Sequence, residues 1–253
     1  MINERPATWT RGAELRSRLE PVKRRCLPEN VRIVVVEDHR MFRDLIRKAC
    51  EVPSGHQVIG ETDSGITAVE MILRLKPDIA ILDLSLPDMD GFAVADRVLE
   101  ELPTLRVLVL SSHCDDYTLF CVEQSRVHGF VDKNTNTVET LHEALAALET
   151  GQIYFSPAFK AAKIARRADP MSFTKILSDR ERAVLSLIGQ GLSDGEIGAR
   201  LDVSGRTAQT HRSRILRKLE IKGTPKLIAF AIKHGFTRVH SKAAPLPAAA
   251  AAR

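Results

Sequence analysis

The sequence contains no apolar run long enough to cross a membrane, and no hydrophobic segment typical of a secretion signal follows Met1. Its four cysteines, Cys26, Cys50, Cys114 and Cys121, have neither the spacing of a metal site nor that of a redox pair. We therefore expect a cytoplasmic protein with reduced thiols and no membrane partner.

Charge, in contrast, is abundant and unevenly distributed. Residues 1–30 carry seven basic and four acidic side chains, residues 31–150 carry 11 and 21, and residues 151–253 carry 19 and seven. An acidic part joined to a strongly basic part indicates that only the second meets nucleic acid. A basic domain can also be merely soluble, so the motifs must decide between these readings.

The two ends of the chain and one central segment lack clear periodicity. Residues 1–30 are interpreted as a flexible N-terminal extension, or as an over-long start assignment. Residues 151–173 are predicted to be a linker with one helix near Pro157–Arg167, because alternation stops there. Residues 237–253, which end in Pro-Ala repeats, are predicted to be a disordered tail.

Strand and helix signals alternate within residues 31–150, which is typical of an α/β domain with helices on both faces of a parallel sheet. The predicted strands are Arg32–Val36, Gln57–Glu61, Ile79–Leu82, Arg106–Leu110 and Gly129–Val131. The predicted helices are Arg40–Glu51, Gly65–Leu75, Gly91–Leu102, Asp115–Ser125 and Thr137–Thr150. Right-handed crossovers among five strands favour the doubly wound, flavodoxin-like order 2-1-3-4-5.

Polar side chains stand where four of these strands end. They are Glu37, Asp38, Asp83, Ser111 and Lys133, and the carboxyl ends of parallel strands share one edge, so we expect them to converge. Gathered carboxylates repel one another unless a hard cation compensates, and their oxygen atoms suit Mg²⁺. A carboxylate beside Mg²⁺ and an ammonium can attack phosphorus and form an aspartyl phosphate. Lys133 would then neutralise phosphoryl charge, and Ser111 would hydrogen-bond a phosphoryl oxygen.

Four motifs occur in this region in a fixed order. They are Val-Val-Val-Glu37-Asp38, Ile-Leu-Asp83-Leu-Ser-Leu-Pro87-Asp-Met-Asp-Gly91, Val-Leu-Ser111-Ser112 and Phe130-Val-Asp-Lys133. With them, residues 31–150 resemble the receiver domain of two-component response regulators. The resemblance implies that Asp83 accepts phosphate from a sensor histidine kinase. The Mg²⁺ ligands it implies are Glu37, Asp38, Asp83 and the main-chain carbonyl of Ser85. The switch and phosphoryl-binding residues it implies are Ser111, Phe130, where many relatives have Tyr, and Lys133.

Residues 174–236 are predicted to be all helical, with helices at 178–190, 194–201, 205–219 and 225–235 that begin at capping residues. The short turn Leu201–Ser204 is typical of a helix-turn-helix, whose second helix lies in the major groove of DNA. Its predicted exposed face comprises Arg206, Gln209, Thr210 and Ser213. Nearby positive charge comes from Arg212, Arg214, Arg217, Lys218 and Lys222. A membrane-surface or partner helix is the alternative, which the two preceding capped helices disfavour.

Three motifs are found in these helices. They are Leu177-Ser-Asp-Arg-Glu181-Arg-Ala-Val-Leu185, Gly191-Leu-Ser-Asp-Gly-Glu196-Ile-Gly-Ala and Val203-Ser-Gly-Arg-Thr207-Ala-Gln-Thr-His211-Arg-Ser-Arg-Ile-Leu-Arg-Lys218-Leu. This part resembles the LuxR/NarL/FixJ-type DNA-binding domain. The DNA contacts it implies are Arg206, Thr207, Gln209, Thr210, His211, Ser213, Arg214, Lys218 and Lys222. The dimerisation residues it implies are Leu227, Ile228, Ala231 and Ile232, for which core packing is the competing explanation. Three departures from the family pattern, Gln209, Gly198 and Ala208, bear on affinity and target choice.

Both resemblances together predict a response regulator that acts as a transcription factor and is not an enzyme. It would bind double-stranded DNA as a homodimer on inverted or tandem half-sites. Phosphorylation of Asp83 would pull Ser111 inward and let Phe130 repack, which would release the basic domain, promote dimerisation, or both. A phosphatase with an Asp nucleophile is one alternative, but Ser85 stands where dehalogenase-type phosphatases use a second acid. A DNA-binding protein that ignores phosphorylation and whose receiver senses protein partners is the other.

Overall fold

The computed structural model describes residues 27–237, apart from residues 29, 52–55, 135–137 and 169–171. The predicted N-terminal extension and the predicted C-terminal tail therefore lie almost wholly outside the described residues. Within the described ranges, no helix combines the length and the apolar character that crossing a bilayer requires.

The N-terminal half is built on one parallel sheet, whose strands are β1 (Arg32–Val36), β2 (Gln57–Thr62), β3 (Ile79–Asp83), β4 (Arg106–Ser111), β5 (Gly129–Asp132) and β6 (Tyr154–Phe155). Their order is β2-β1-β3-β4-β5-β6, which confirms the predicted doubly wound fold and the order of its first five strands. The prediction of five strands is wrong by one. β6 has only two residues and pairs with β5 through Gly129 and Tyr154, so it is too short to produce a periodic signal.

Helices cover both faces of this sheet. They are α1 (Arg40–Glu51), α2 (Gly65–Leu75), α3 (Gly91–Glu101), α4 (Asp116–Gln124), α5 (Val138–Glu149) and α6 (Pro157–Ala168). Side chains point alternately to the two faces along each strand. Val34 and Leu82 thus join the buried cluster under α2, α3, α4 and α6, whereas Ile33 and Ile81 join the cluster under α1 and α5.

The turn from β3 into α3 depends on Gly91. A Cβ atom on Gly91 would lie 2.3 Å from the main-chain oxygen of Asp83, so a larger residue would displace the backbone next to that side chain. Asp90 caps α3 by accepting a hydrogen bond from the Phe92 amide at 2.8 Å. The glycine and the cap together hold the loop after β3 close to the sheet edge.

The segment predicted to be a linker is ordered where it is described. β6 extends the sheet, and α6 occupies the position of the helix expected near Pro157–Arg167. Phe159 of α6 is fully buried, with its ring centroid 5.0 Å from Phe130 and 4.8 Å from Phe155. These contacts attach α6 to the α/β domain by burial of large aromatic surface.

The C-terminal part consists of α7 (Phe173–Ile176), α8 (Asp179–Gly189), α9 (Asp194–Leu201), α10 (Gly205–Lys218) and α11 (Thr224–Lys233). The last four match the predicted helices to within two residues at each end. The capping residues of α8 and α9 are Ser178 and Ser193, and each forms a capping box with the glutamate three residues later. Gly198, one of the three departures from the family pattern, is favoured by packing, because a Cβ there would lie 2.7 Å from the main-chain oxygen of Val203 in the following turn.

Candidate functional site: an acidic rim and a basic helix

Three carboxylates meet at the carboxyl edge of the sheet, as the strand pattern predicts. Glu37 and Asp38 follow β1, and Asp83 is the last residue of β3. One side-chain oxygen from each of the three lies within 4.8 Å of the others. Glu37 and Asp83 are buried, whereas Asp38 is exposed, so the cluster opens to solvent on one side. We call these three residues, together with Ser111 and Lys133, the acidic rim.

Lys133 places its ammonium between two of these carboxylates. Its Nζ is 2.6 Å from Oε2 of Glu37 and 3.0 Å from Oδ2 of Asp83, and the side chain is only 7% exposed. Its main-chain amide donates to the carbonyl of Ser111 at 2.9 Å, which fixes the loop after β5 beside the end of β4. The pairing of β4 with β5 is therefore what brings Lys133 to Asp83.

The electrostatics of the acidic rim are unfavourable without further cations. Burial raises the pKa of the Glu37 carboxyl above its ordinary value. The charge of Lys133 opposes this rise, but the charge of Asp83 adds to it, so the net direction is upward. Three carboxylates around one ammonium leave an excess of negative charge. Their oxygen donors, with one side open to solvent, fit a hard divalent cation such as Mg²⁺.

Of the predicted switch residues, Lys133 contacts Asp83, whereas the contacts of Ser111 and Phe130 described here are with other residues. Ser111 is fully buried, and its Oγ accepts a hydrogen bond from the His113 amide at 3.0 Å. Ser85 is half-buried, and its amide donates to Oδ1 of Asp83 at 3.2 Å. Phe130 is fully buried beneath α6. Repacking of the Phe130 ring would therefore require movement of Phe159.

Two further acids near the acidic rim have structural partners instead. Asp90 is the cap of α3 described above, and Asp88 accepts hydrogen bonds from Ser64 Oγ at 2.6 Å and from the Gly65 amide at 2.7 Å. Burial would raise the pKa of Asp88, but these hydrogen bonds and one from the Ile66 amide outweigh it and lower the pKa. Asp88 thus ties the loop after β3 to the start of α2.

A second candidate site is the outer surface of α10. Ser204 caps this helix, and the buried side chains Ala208 and Ile215 anchor it in the core. The exposed residues on its other faces are Arg206, Thr207, Gln209, Thr210, Ser213, Arg214, Arg217 and Lys218. Lys222, beyond the helix, is also exposed. The predicted reading face is therefore accessible along the whole helix.

Other side chains predicted near DNA have partners within the helical domain. Lys218 Nζ lies 2.7 Å from Oε2 of Glu181, and Arg212 Nε lies 2.8 Å from Oδ1 of Asp194. Both ion pairs hold α10 to preceding helices. Each also places an acidic side chain beside a cation that we predicted to lie near the DNA phosphates. His211 is half-buried, and its shielded Nδ1 has no hydrogen-bond partner in the described part of the chain.

The residues predicted to mediate dimerisation divide between two faces of α11. Leu227 and Ala231 are fully buried in the helical core. Ile228 is half-buried and Ile232 is 44% exposed. Core packing thus accounts for the first pair, and only the second pair offers apolar surface to another chain.

A contact that sequence reasoning missed joins the two domains through α4. The Tyr117 ring stacks on Phe236 with centroids 4.5 Å apart, and Phe120 meets Phe173 at 6.2 Å. The Tyr117 amide also donates to the carbonyl of His234 at 3.1 Å. We call this contact, which includes the approach of His234 Nδ1 to Asp116 Oδ2 at 2.9 Å, the docking contact. Two aromatic residues three positions apart on α4 are the only hint of it in the sequence.

The docking contact is close-fitting. A Cβ on Gly235, which has a φ of +77°, would lie 2.0 Å from the carboxyl group of Asp115. The contact covers the end of α11 and leaves the exposed face of α10 open. It therefore restricts the helix predicted to dimerise more than the helix predicted to read DNA.

Comparisons with known proteins match both halves of the chain. Residues 33–146 match the response regulator receiver domain, and residues 175–231 match the luxR family of bacterial regulatory proteins. The probable transcriptional regulatory protein NarL of Mycobacterium tuberculosis (strain ATCC 25618 / H37Rv) is 36% identical over 210 residues, which cover 81% of this chain and 95% of that protein. The response regulator protein VraR of Staphylococcus aureus (strain NCTC 8325 / PS 47) is 29% identical, with 81% and 97% covered.

Solved structures show the same fold. RcsB from Salmonella enterica serovar Typhimurium, bound to promoter rprA in the presence of the phosphomimetic BeF₃⁻, aligns with a TM-score of 0.61. The alignment covers 79% of this chain and 98% of that chain at 24% sequence identity. The likeness extends across both domains of the chain.

Proposed function

Because the chain belongs to the two-component response regulators that join a receiver domain to a LuxR-type DNA-binding domain, we propose that Asp83 is its phosphoacceptor. The observation that carries this proposal is the approach of Lys133 Nζ to Asp83 Oδ2 at 3.0 Å, within a cluster of three carboxylates. An ammonium beside a buried carboxylate is placed to neutralise the oxygens of a transferring phosphoryl group.

The transfer itself needs few protein groups. A carboxylate oxygen of Asp83 forms a bond to phosphorus as the bond from phosphorus to the kinase histidine nitrogen breaks, and the imidazole leaves with the electron pair and takes up a proton. Oδ1 of Asp83 is held by the Ser85 amide and Oδ2 by Lys133, so the side chain is oriented before the donor arrives.

We propose that Glu37, Asp38, Asp83 and the main-chain carbonyl of Ser85 hold Mg²⁺. The support is the excess of negative charge at the acidic rim and its all-oxygen donor set. The ion, when bound, would compensate the charge of the carboxylates and of the phosphoryl oxygens. Lys133 and the Ser85 amide would keep their contacts with Asp83 in either state.

We further propose that phosphorylation acts on the docking contact. A phosphoryl group on Asp83 offers oxygen acceptors that Ser111 Oγ would contact by turning away from the His113 amide. The loop that would move leads directly to Asp115, the cap of α4. Since α4 carries Tyr117, the same displacement would weaken stacking on Phe236 and shift the population towards separated domains.

Separation would uncover His234 and Phe236, which follow α11, and so enlarge the surface that the exposed Ile232 already offers for dimerisation on DNA. The docking contact leaves the exposed face of α10 accessible, so the regulated step in this proposal is assembly of a homodimer on double-stranded DNA. Half-sites arranged as inverted or tandem repeats would then be bound by two copies of α10 in successive major grooves. Genes adjacent to such sites would be the targets of the regulator.

Turnover of phosphate esters is not part of this proposal. Ser85 stands two residues after Asp83, where a hydrolytic enzyme of the dehalogenase type uses a second acid. Only slow loss of phosphate from Asp83 is expected.

The test is phosphate incorporation from acetyl phosphate and from a histidine kinase, read by intact-mass spectrometry. The wild type should gain about 80 Da, the mass of one phosphoryl group in an aspartyl phosphate, and Asp83→Asn should show no such gain. Asp63→Asn, which changes an exposed acid just after β2, is the matched control and should incorporate phosphate like the wild type. Phosphate on Asp83→Asn at the wild-type level would overturn the assignment.

The same samples test the output. DNA affinity and oligomeric state should both rise with phosphate in the wild type and in Asp63→Asn, and should stay at the basal level in Asp83→Asn. If phosphorylated and unphosphorylated wild type bind the same DNA equally, the coupling through the docking contact is wrong even when Asp83 is the acceptor.

A further inference from the structure

Arg212 lies on the packed side of α10, away from the predicted reading face. Ala208, one helical turn before it, and Ile215, nearly one turn after it, are both fully buried. The Arg212 side chain is 14% exposed, whereas Arg214 on the same helix is exposed to solvent. Its charged group therefore points into the helical domain, although the sequence predicts that it lies near the DNA phosphates.

The Arg212 guanidinium meets three separate segments of that domain. Its Nε lies 2.8 Å from Oδ1 of Asp194, the first residue of α9. Its terminal nitrogens lie 3.4 Å from the carbonyl of Leu192, in the loop before α9, and 3.5 Å from Oγ1 of Thr224, the first residue of α11. The charge-assisted bond to Asp194 is the short one, and the other two are long for hydrogen bonds. One planar group thus joins α10 to both α9 and α11.

The place of this junction along α10 bears on the reading of bases. Arg212 lies between Gln209 and Ser213 of the predicted reading face, near the middle of the helix. The two ends of α10 have attachments of their own, the Ser204 cap at the start and the ion pair of Lys218 with Glu181 at the end. The contacts of Arg212 therefore hold the part of α10 that carries the central reading residues.

We propose that Arg212 is a positioning residue for sequence recognition, which acts through Asp194. Hydrogen bonds to base edges depend steeply on distance and angle, whereas phosphate contacts fix the protein on the duplex without reading its sequence. A small shift of α10 therefore reduces discrimination between sequences more than it reduces affinity for DNA in general. The proposal rests on the proposed entry of α10 into the major groove, and it does not depend on phosphorylation of Asp83.

The competing role for Arg212 is a phosphate contact. In that case its guanidinium would leave Asp194 on binding and turn to the DNA backbone. Each phosphate that a protein neutralises adds about 0.9 to the slope of log affinity against log salt concentration. A positioning residue that stays paired with Asp194 adds no such term. The salt dependence of binding therefore distinguishes the two roles.

The experiment uses the full chain without a phosphate donor, and its probe is the duplex that the wild type selects from a random-sequence DNA library. Affinity for this duplex and for a scrambled duplex is measured by fluorescence anisotropy over a range of salt concentrations. Arg212→Met should lower the ratio of the two affinities by about tenfold, the effect of losing a good base contact. Its affinity for the scrambled duplex should stay within about threefold of the wild type, with the same salt slope. Arg214→Met, which removes the same charge from the exposed side of α10, is the matched control and should reduce the slope by about 0.9.

Two further variants test the route through Asp194, and each is measured at a temperature where thermal melts show it to be folded. Asp194→Asn keeps Arg212 but weakens the ion pair, so it should also lower the affinity ratio. Because both changes break one interaction, the double variant should discriminate no worse than Arg212→Met alone. Arg212→Lys keeps a charge opposite Asp194 but lacks the planar fork, so it should recover part of the lost discrimination.

Wild-type discrimination in Arg212→Met, or additive losses in the double variant, would overturn the positioning role. A flatter salt slope in Arg212→Met would overturn it in favour of a phosphate contact. A wild type that selects no sequence from the library would contradict sequence reading by α10 and, with it, the role of Arg212. That last failure is distinct, because it appears before any variant is compared.

Discussion

Replacement of Lys133 by Met removes a cation that contacts both buried carboxylates of the acidic rim. In the wild type its Nζ lies 2.6 Å from Glu37 and 3.0 Å from Asp83. The three side chains are 7%, 1% and 6% exposed, so water cannot replace the lost ammonium without rearrangement. Methionine keeps most of the volume, which limits the change to charge and hydrogen bonding.

The expected loss of folding stability in Lys133→Met follows from the breaking of a buried ion pair. Leaving a buried carboxylate without its partner costs about 3–5 kcal/mol, and here two carboxylates share the loss. Uptake of a proton by Glu37 limits the cost, because burial already raises the pKa of that carboxyl and loss of Lys133 raises it further. Because the folded-state pKa of Glu37 lies above its unfolded-state value, the stabilisation that comes from its bound proton is present at low pH and is lost as the pH rises. We expect Lys133→Met to lower the free energy of unfolding of the receiver domain by about 3 kcal/mol near neutral pH and by less near pH 5.

The assay is hydrogen exchange of β1 and β3 peptides, which reports the opening free energy of the receiver domain separately from the helical domain. Lys48→Met, at an exposed position on α1, is the control and should change little. Addition of Mg²⁺ should restore stability to Lys133→Met more than to the wild type, because a divalent cation compensates the same carboxylates. A loss below about 1 kcal/mol with no response to Mg²⁺ would refute the electrostatic reasoning.

Gly91→Ala should destabilise the receiver domain by about 1–3 kcal/mol through overpacking against β3, whereas Gly195→Ala, with open space around its Cβ, should stabilise α9 by up to ~1 kcal/mol in thermal melts. Arg206→Ala or Gln209→Ala should reduce discrimination between DNA sequences by about 1–3 kcal/mol, measured by competition binding. Equal weakening on every sequence would make them phosphate contacts instead. Burial, together with nearby arginines, lowers the pKa of His128 from 6.5 to about 4. As the pH is lowered from 6.5 to about 4, the His128 imidazole is protonated in the unfolded state but not in the folded state, so the free energy of unfolding should decrease over this range. His128→Gln should make that decrease smaller.

The acidic rim was predictable because each of its members is marked by a local pattern. Asp83 and Ser111 end buried apolar runs, and Lys133 follows another by two residues. The geometry of a parallel sheet converts those separate positions into one cluster, without any information on long-range contacts. The strand order follows from the same alternation, because right-handed crossovers leave few topologies for five strands.

Three features were not predictable from the sequence for identifiable reasons. β6 is stabilised by hydrogen bonds to β5, and two residues carry no periodicity. The partners of Lys218 and Arg212 depend on how the helices pack, so the sequence does not reveal that both side chains form ion pairs within the helical domain. The docking contact joins Tyr117 to Phe236, residues far apart in the chain with no shared motif.

The position of α4 explains why these unpredicted features belong together. This helix begins just after the loop that follows Ser111, and it presents Tyr117 to the DNA-binding domain. Its Glu123 pairs with Arg166 of α6, so the same helix also holds the segment that connects the domains. A displacement of α4 would therefore disturb the docking contact and the seating of α6 at once. Because packed elements prefer discrete arrangements, loss of both contacts in one step favours a two-state response over a graded one.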